Sequence, residues 1–400
     1  MNSKSKLWTK DFIMVSASNF LLFVSFYLLM VTLAMYSIEQ FQVSGSIAGL
    51  ASSIFVLGAV VVRPMVGNLL ARIGMKKLLV FGLVLFFFVT ILYFPINSIG
   101  WMLLIRFIHG FAFGISSTAT GTIAVDVIPP SRRGEGMGYF ATSNNLAMSI
   151  GPFIGLMTLQ YFSGDTIFII TTIISITALL TALYMKVPEV KVNYIEKTRK
   201  QKFHINDYFE KSAYPISILM LILGIANSSI LSFINAYSVE INLVSAASFF
   251  FVMYAVFLLM SRPITGRLYD KKGENSVIYP AIALFGLGLI VLSQASSGIA
   301  LLVAGAIIGV GFGTLQSSAQ TIAVSGVPHA RVGLATSTFY VFYDLGMGMG
   351  PFLLGYVMQV TGFRGLYLAM SVIAFLALPL YYFLHGKKKR KQTNQIKEAA

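Results

Sequence analysis

Arg63-Pro64-Met65-Val66-Gly67-Asn68-Leu69 returns 199 positions later as Arg262-Pro263-Ile264-Thr265-Gly266-Arg267-Leu268. The same offset carries Thr122-Ile123-Ala124-Val125 onto Thr321-Ile322-Ala323-Val324 without a change. It also carries Gly151-Pro152-Phe153 onto Gly350-Pro351-Phe352, and Pro129, Arg132 and Gly134 onto Pro328, Arg331 and Gly333. One offset that holds from position 63 to position 153 marks an internal duplication. What is duplicated is apolar. Hydrophobic residues fill 56% of the 400 positions and charged residues 11%, against about 25% charged in soluble domains.

Windows such as Phe12 to Ala34, Leu78 to Phe94, Ile167 to Tyr184 and Leu366 to Leu384 are free of charge, and each approaches the ~20 residues that cross a hydrocarbon core. Hydropathy places twelve such spans between 12–34 and 365–385, six on each side of a polar interruption. Six spans return the chain to its starting side, so the two copies are parallel and related by an axis along the membrane normal. The expected architecture is an all-α integral membrane protein of twelve transmembrane helices. An N-terminal six-helix bundle occupies 1–187 and a cytoplasmic linker 188–213. A C-terminal bundle follows at 214–386, then a basic cytoplasmic tail at 387–400.

The net charge of +15 acquires its meaning from placement. Of the 29 Lys and Arg, 27 fall in connections on one side of the spans, leaving Arg106 inside a span and Arg364. This positive-inside bias puts both termini in the cytoplasm of a multi-pass cell-membrane protein and takes the place of a nucleic-acid partner. Lys387 to Lys391 serve first as a topology anchor and second as a patch for anionic membrane lipids. The first apolar stretch is too long for a signal-peptide core and is kept as helix 1. With no cysteine, four scattered histidines and no HExxH, no metal or cofactor is expected. The absence of GxxxxGK[ST] excludes a nucleotide-driven pump on this chain. No nucleophile-base-acid constellation suggests an enzyme.

After the second span the sequence reads Gly67-Asn68-Leu69-Leu70-Ala71-Arg72-Ile73-Gly74-Met75-Lys76-Lys77, and its repeat reads Gly266-Arg267-Leu268-Tyr269-Asp270-Lys271-Lys272-Gly273. Helix 4 carries Arg106-Phe107-Ile108-His109-Gly110 and helix 5 carries Gly151-Pro152-Phe153-Ile154-Gly155. These elements resemble G-x-L-x-D-R-x-G-R-K-x, R-x-x-Q-G and G-P-x-x-G of the major facilitator superfamily, over essentially the whole chain. The resemblance favours the drug:proton antiporter, or exporter, branch. It implies the major facilitator fold, alternating access, and a cytoplasmic gate latched by the loop after helix 2. Ala71 stands where the family's first loop has aspartate, and His109 stands in place of glutamine. A latch weakened in the N-terminal half follows, with Arg63, Arg72 and Asp126 set against Arg262 and Asp270 in the second.

A charge in mid-membrane is costly and faces the bundle interior or a wet cavity. Arg106 lies about five residues inside helix 4, ~8 Å from its outer end. It is a candidate for binding or coupling, or a structural residue satisfied by backbone carbonyls. His109 lies one turn deeper and carries an imidazole suited to proton transfer, although a buried neutral imidazole is an equal reading. Asp344 is the single acid well inside a span, ~20 Å from Arg331 along the helix. Its helix presents Tyr340, Tyr343, Asp344 and Met347 on one face, and its repeat counterpart is Asn145. Asn19, Asn227 and Gln316 add neutral polar groups that line a cavity or glue helices together.

No acid occurs in helices 1, 2, 4 or 5 of the cavity, where exporters of cationic drugs in this family place one. That balance points to proton-coupled export of a small anionic, zwitterionic or amphipathic organic solute, a metallophore-like metabolite being one example. The alternatives are a multidrug antiporter for lipophilic drugs, a passive facilitator, and a membrane receptor or scaffold. The chain is expected to act as a monomer.

Overall fold

The computed structural model of the chain describes residues 6–43, 45–187, 208–247 and 249–387. Most of the expected linker and all of the tail after Lys387 lie outside the described residues. Every regular element within them is helical. This is the only solution for a chain crossing lipid in open segments, because each peptide group must be satisfied within its own helix.

Six long helices come first: α1 (Lys10–Phe41), α2 (Gly45–Ile73), α3 (Met75–Ile91), α4 (Ile99–Val127), α5 (Arg133–Tyr161) and α6 (Thr166–Tyr184). The second six begin with α7 (Tyr214–Glu240), α8 (Phe250–Lys272), α9 (Asn275–Ser293) and α10 (Gly298–Val324). The run Val332–Tyr381 is broken at Gly362, whose φ of 68° leaves the helical region. Two rods result, α11 (332–361) and α12 (363–381). Among the described residues, nine helices are long and apolar enough to cross a membrane. Large apolar side chains such as Phe81, Phe88, Ile173 and Leu376 point outward, as they do where the solvent is hydrocarbon.

The helices sort into two compact units. The first comprises Met1–Gly136, Phe140–Lys211 and Gly326–Val341; the second comprises Met137–Tyr139, Ser212–Ser325 and Phe342–Ala400. In the first, α4 is the central rod, packed by α2, α3 and α1, while α6 closes against α1 and α3. In the second, α10 takes the same place between α8 and α9, with α7 beside it.

The repeat is visible in side-chain detail. A methyl group on Gly110 of α4 would meet the Phe55 carbonyl of α2, and one on Gly309 of α10 would meet the Tyr254 carbonyl of α8. Both pairs of positions are 199 apart, so the two units share a crossing at backbone contact that only glycine permits. Arg63 and Arg262 are fully buried. Arg63 Nη1 donates to Thr118 Oγ1 at 3.0 Å, and Arg262 Nη1 donates to Ser317 Oγ at 2.5 Å; Thr118 and Ser317 are again repeat mates. The α2–α3 and α8–α9 turns are tight, with Gly74 at φ 94° and Gly273 at φ 81°, where a β-carbon is disfavoured. Just beyond each, one side chain caps the sixth helix of its set. Lys76 Nζ donates to the carbonyls of Met185 at 2.7 Å and Leu183 at 3.2 Å. Asn275 Nδ2 donates to the Gly386 carbonyl at 3.3 Å and its Oδ1 accepts from Tyr381 Oη at 2.7 Å.

Candidate functional site

Along α4 the residues Arg106, His109, Phe113, Ser117 and Thr120 recur at intervals of three and four and so share one face of the helix. All five are buried. At the outer end Arg106 Nε donates to the Ala51 carbonyl of α2 at 2.9 Å. Its guanidinium lies 4.4 Å from the centre of the Phe55 ring, a cation–π contact. Nη1 and Nη2 make no hydrogen bond of good geometry, with the Tyr93 hydroxyl as the polar group that acts on them. Tyr93 Oη lies 3.1 Å from His109 Nδ1, while His109 Nε2 is buried without a partner. Arg106, Tyr93 and His109 therefore form one polar chain between apolar walls. Tyr93 stacks on Phe168 at 5.1 Å and Phe86 lies 4.1 Å from the imidazole.

Phe113 occupies the middle of the face. It meets Phe23 at 5.0 Å, Phe26 at 5.4 Å and Phe55 at 5.1 Å between ring centres. Such ring pairs add about 0.5–1.5 kcal/mol beyond their buried area. On the other side of the rings, Asn19 of α1 joins α4 to α5. Its Nδ2 donates to Ser143 Oγ at 2.8 Å and to Asn144 Oδ1, and its Oδ1 accepts from Thr120 Oγ1 at 2.9 Å. The Asn144 Nδ2 and Ser117 Oγ atoms are buried with no partner. The face thus runs from a cation, through aromatic rings, to amide and hydroxyl groups.

The family follows from comparison with known proteins. The profile described as Major Facilitator Superfamily matches residues 15–348 and 244–400. The chain belongs to that superfamily. Multidrug resistance protein MdtG of Salmonella schwarzengrund is 26% identical over 388 residues, 93% of this chain and 94% of that protein. An uncharacterized MFS-type transporter of Methanocaldococcus jannaschii is 23% identical over 338 residues, 82% of this chain and 86% of its own length. Among solved structures, the family member FucP in the outward conformation superposes with a TM-score of 0.74 at 17% identity, covering 95% of this chain and 99% of FucP. The human organic anion transporter MFSD10 does so at 0.72 and 14%, covering 93% and 99%. The protein is accordingly a membrane transporter with the major facilitator fold, resembling drug:proton antiporters.

The other candidate residues take varied places. Asn145 is beside the α4 network rather than in it, its Nδ2 donating to the Ala141 carbonyl at 3.0 Å; its neighbour Asn144 makes the contact. In the second unit Asn227 Nδ2 reaches Met347 Sδ at 3.8 Å. Gln316 and Tyr343 are buried and Asp344 is half-buried on α11. Tyr340 belongs to the first unit, its ring centre 4.6 Å from the Arg63 guanidinium. Asp126 is paired with His329 at 2.8 Å, Arg132 with Glu135 at 2.9 Å, and Arg72 and Asp270 stand exposed at the ends of α2 and α8. Tyr93, Asn144 and His329 carry no sequence signal that singles them out, since each acquires its partner only through the packing of separate helices.

Proposed function

We propose that this chain is a proton-coupled exporter that moves a small anionic, zwitterionic or amphipathic organic solute out of the cell by alternating access. Its termini and basic connections lie in the cytoplasm. The observation that carries the reading is the buried face of α4. A guanidinium without a carboxylate partner stands at one end, hydrogen-bonding amides and hydroxyls stand at the other, and aromatic rings lie between. An amphipathic solute with a carboxylate or another acceptor complements that sequence of groups, with Arg106 as its anchor. Asp344, the acid inside α11, is the proton carrier, with His109 as the second titratable group. Support for export comes from relatives named as multidrug resistance proteins.

A second reading, efflux of neutral lipophilic drugs, is favoured by the Phe23, Phe26, Phe55 and Phe113 cluster. Proteoliposomes with an imposed pH gradient separate the two. Carboxyfluorescein, a neutral fluorescent dye and ethidium serve as anionic, neutral and cationic probes. Uphill movement of carboxyfluorescein, abolished by a protonophore, is the expected result. Movement of the neutral dye alone would favour drug efflux, and flux indifferent to the gradient would make the chain a passive facilitator.

A further inference from the structure

Two of the four histidines face carboxylates at the basic end of the chain. His329 Nε2 lies 2.8 Å from Asp126 Oδ1, with the imidazole 48% exposed and the carboxylate side chain 7% exposed. Asp126 closes α4, and its second oxygen is buried without a hydrogen bond. His329 opens the 3-10 turn His329–Arg331 at the head of segment 326–341, which packs on α2 within the first unit.

Several contacts hold that segment. Leu334 lies against Gly67 so closely that a β-carbon there would come within 2.7 Å of its backbone. Ser337 Oγ donates to the Arg63 carbonyl, Thr338 Oγ1 accepts from the Glu210 amide at 2.9 Å, and Arg331 pairs with Glu210. Arg133 also acts on Asp126, and its neighbour Arg132 is paired with Glu135. Of these residue types only histidine ordinarily changes charge between about pH 5 and 8. A protonated imidazole makes a charge-assisted bond to the carboxylate, roughly twice as strong as the bond a neutral ring makes.

We infer that His329 and Asp126 form a proton-responsive clasp that holds segment 326–341 on α2 and α4 in acid and loosens it as the compartment at the basic end becomes alkaline. Release of segment 326–341 from α2 and α4 must therefore part this pair. Acidification at that end thus slows release of the segment. The second pair, His385 Nε2 to Glu274 Oε1 at 2.6 Å, ties the end of α12 to the α8–α9 turn inside the second unit and serves as the internal control.

The test needs no solute, so its failure is separate from failure of the exporter reading. The chain has no cysteine, and Leu334→Cys places one thiol under the clasped segment. Its alkylation by N-ethylmaleimide, in purified full-length protein from pH 6 to pH 8, is divided by that of the exposed Ala330→Cys to remove thiol ionisation. Ala335→Cys, also buried, replaces Leu334→Cys should that variant fold poorly. The normalised rate is expected to rise about fivefold from pH 6 to pH 8, in line with the difference between charge-assisted and neutral bonds. It should be high and flat with His329→Gln, low and flat with His329→Lys, and still rising with His385→Gln. A rise that survives His329→Gln, or no rise in the parent, overturns the clasp.

Discussion

The Arg63 guanidinium lies 4.6 Å from the centre of the Tyr340 ring, and the Ser337 hydroxyl, one turn earlier on the same helix, donates to the Arg63 carbonyl. Side chain and backbone of one residue thus hold the start of α11. Tyr340→Phe keeps the ring and should change thermal stability by less than about 0.5 kcal/mol. Tyr340→Leu removes the π face from a desolvated cation and should cost about 1–2 kcal/mol. Melting temperatures in detergent compare the two, and equal losses would deny the cation–π contact a role.

Arg106 carries a charge that the protein must keep out of water with one carbonyl, one ring and the Tyr93 hydroxyl. Replacement by the apolar and similarly long Met relieves that cost. Arg106→Met should leave stability unchanged or raise it by about 1 kcal/mol, while transport falls more than about tenfold. Arg106→Lys keeps the charge without the planar fork and should restore only a fraction of the flux. A variant that is both stable and fully active would remove Arg106 from the mechanism.

Asp344→Asn preserves shape and hydrogen bonding but cannot ionise. Accumulation against a gradient should disappear, about tenfold or more, with expression and downhill exchange retained. Asp344→Glu should keep partial activity with a displaced pH profile, because solvation of the carboxyl changes with its depth. Undiminished uphill transport by Asp344→Asn would pass the proton-carrying role to His109.

Gly309→Ala tests the backbone crossing in the second unit. Its methyl group would meet the Tyr254 carbonyl, and overpacking of this kind costs about 1–3 kcal/mol. The same loss is expected from Gly110→Ala against Phe55. The readout is the midpoint of thermal unfolding, and a neutral Gly309→Ala would mean that α8 and α10 part easily.

Topology is tested in the natural cysteine-free background. Ser296→Cys lies in the exposed connection before α10 and Ala330→Cys in the one after it. A membrane-impermeant maleimide should label the first in intact cells and the second only after permeabilisation. Labelling of Ala330→Cys from outside would invert the orientation.

Most of the fold was legible because hydropathy and a fixed repeat are one-dimensional signals. The spans 12–34 and 101–124 fall inside α1 and α4, and the gap between 333–359 and 365–385 contains the break at Gly362. The site was less legible. Sequence alone does not fix the rotation of a helix about its axis, and successive residues point ~100° apart. That rotation is why Asn144, not Asn145, meets Asn19. Tyr93 sits in the turn after α3 with no periodicity to mark it, and the burial of Arg63 beside Thr118 appears only once α2 and α4 are packed.

Lys76 and Asn275 perform the same capping task with different chemistry, an ammonium in one copy and an amide in the other. The duplicated chain therefore supplies its own internal homologue. Where both copies commit a polar side chain to the same place, as with these caps or with Arg63 and Arg262, the contact is part of the duplicated scaffold. Where one copy stands alone, the scaffold manages without it: at the repeat offset Arg106 corresponds to Gly305, His109 to Ile308, and Asp344 to Asn145. Asymmetry between the copies in this way separates what the duplicated scaffold repeats from what one half alone carries.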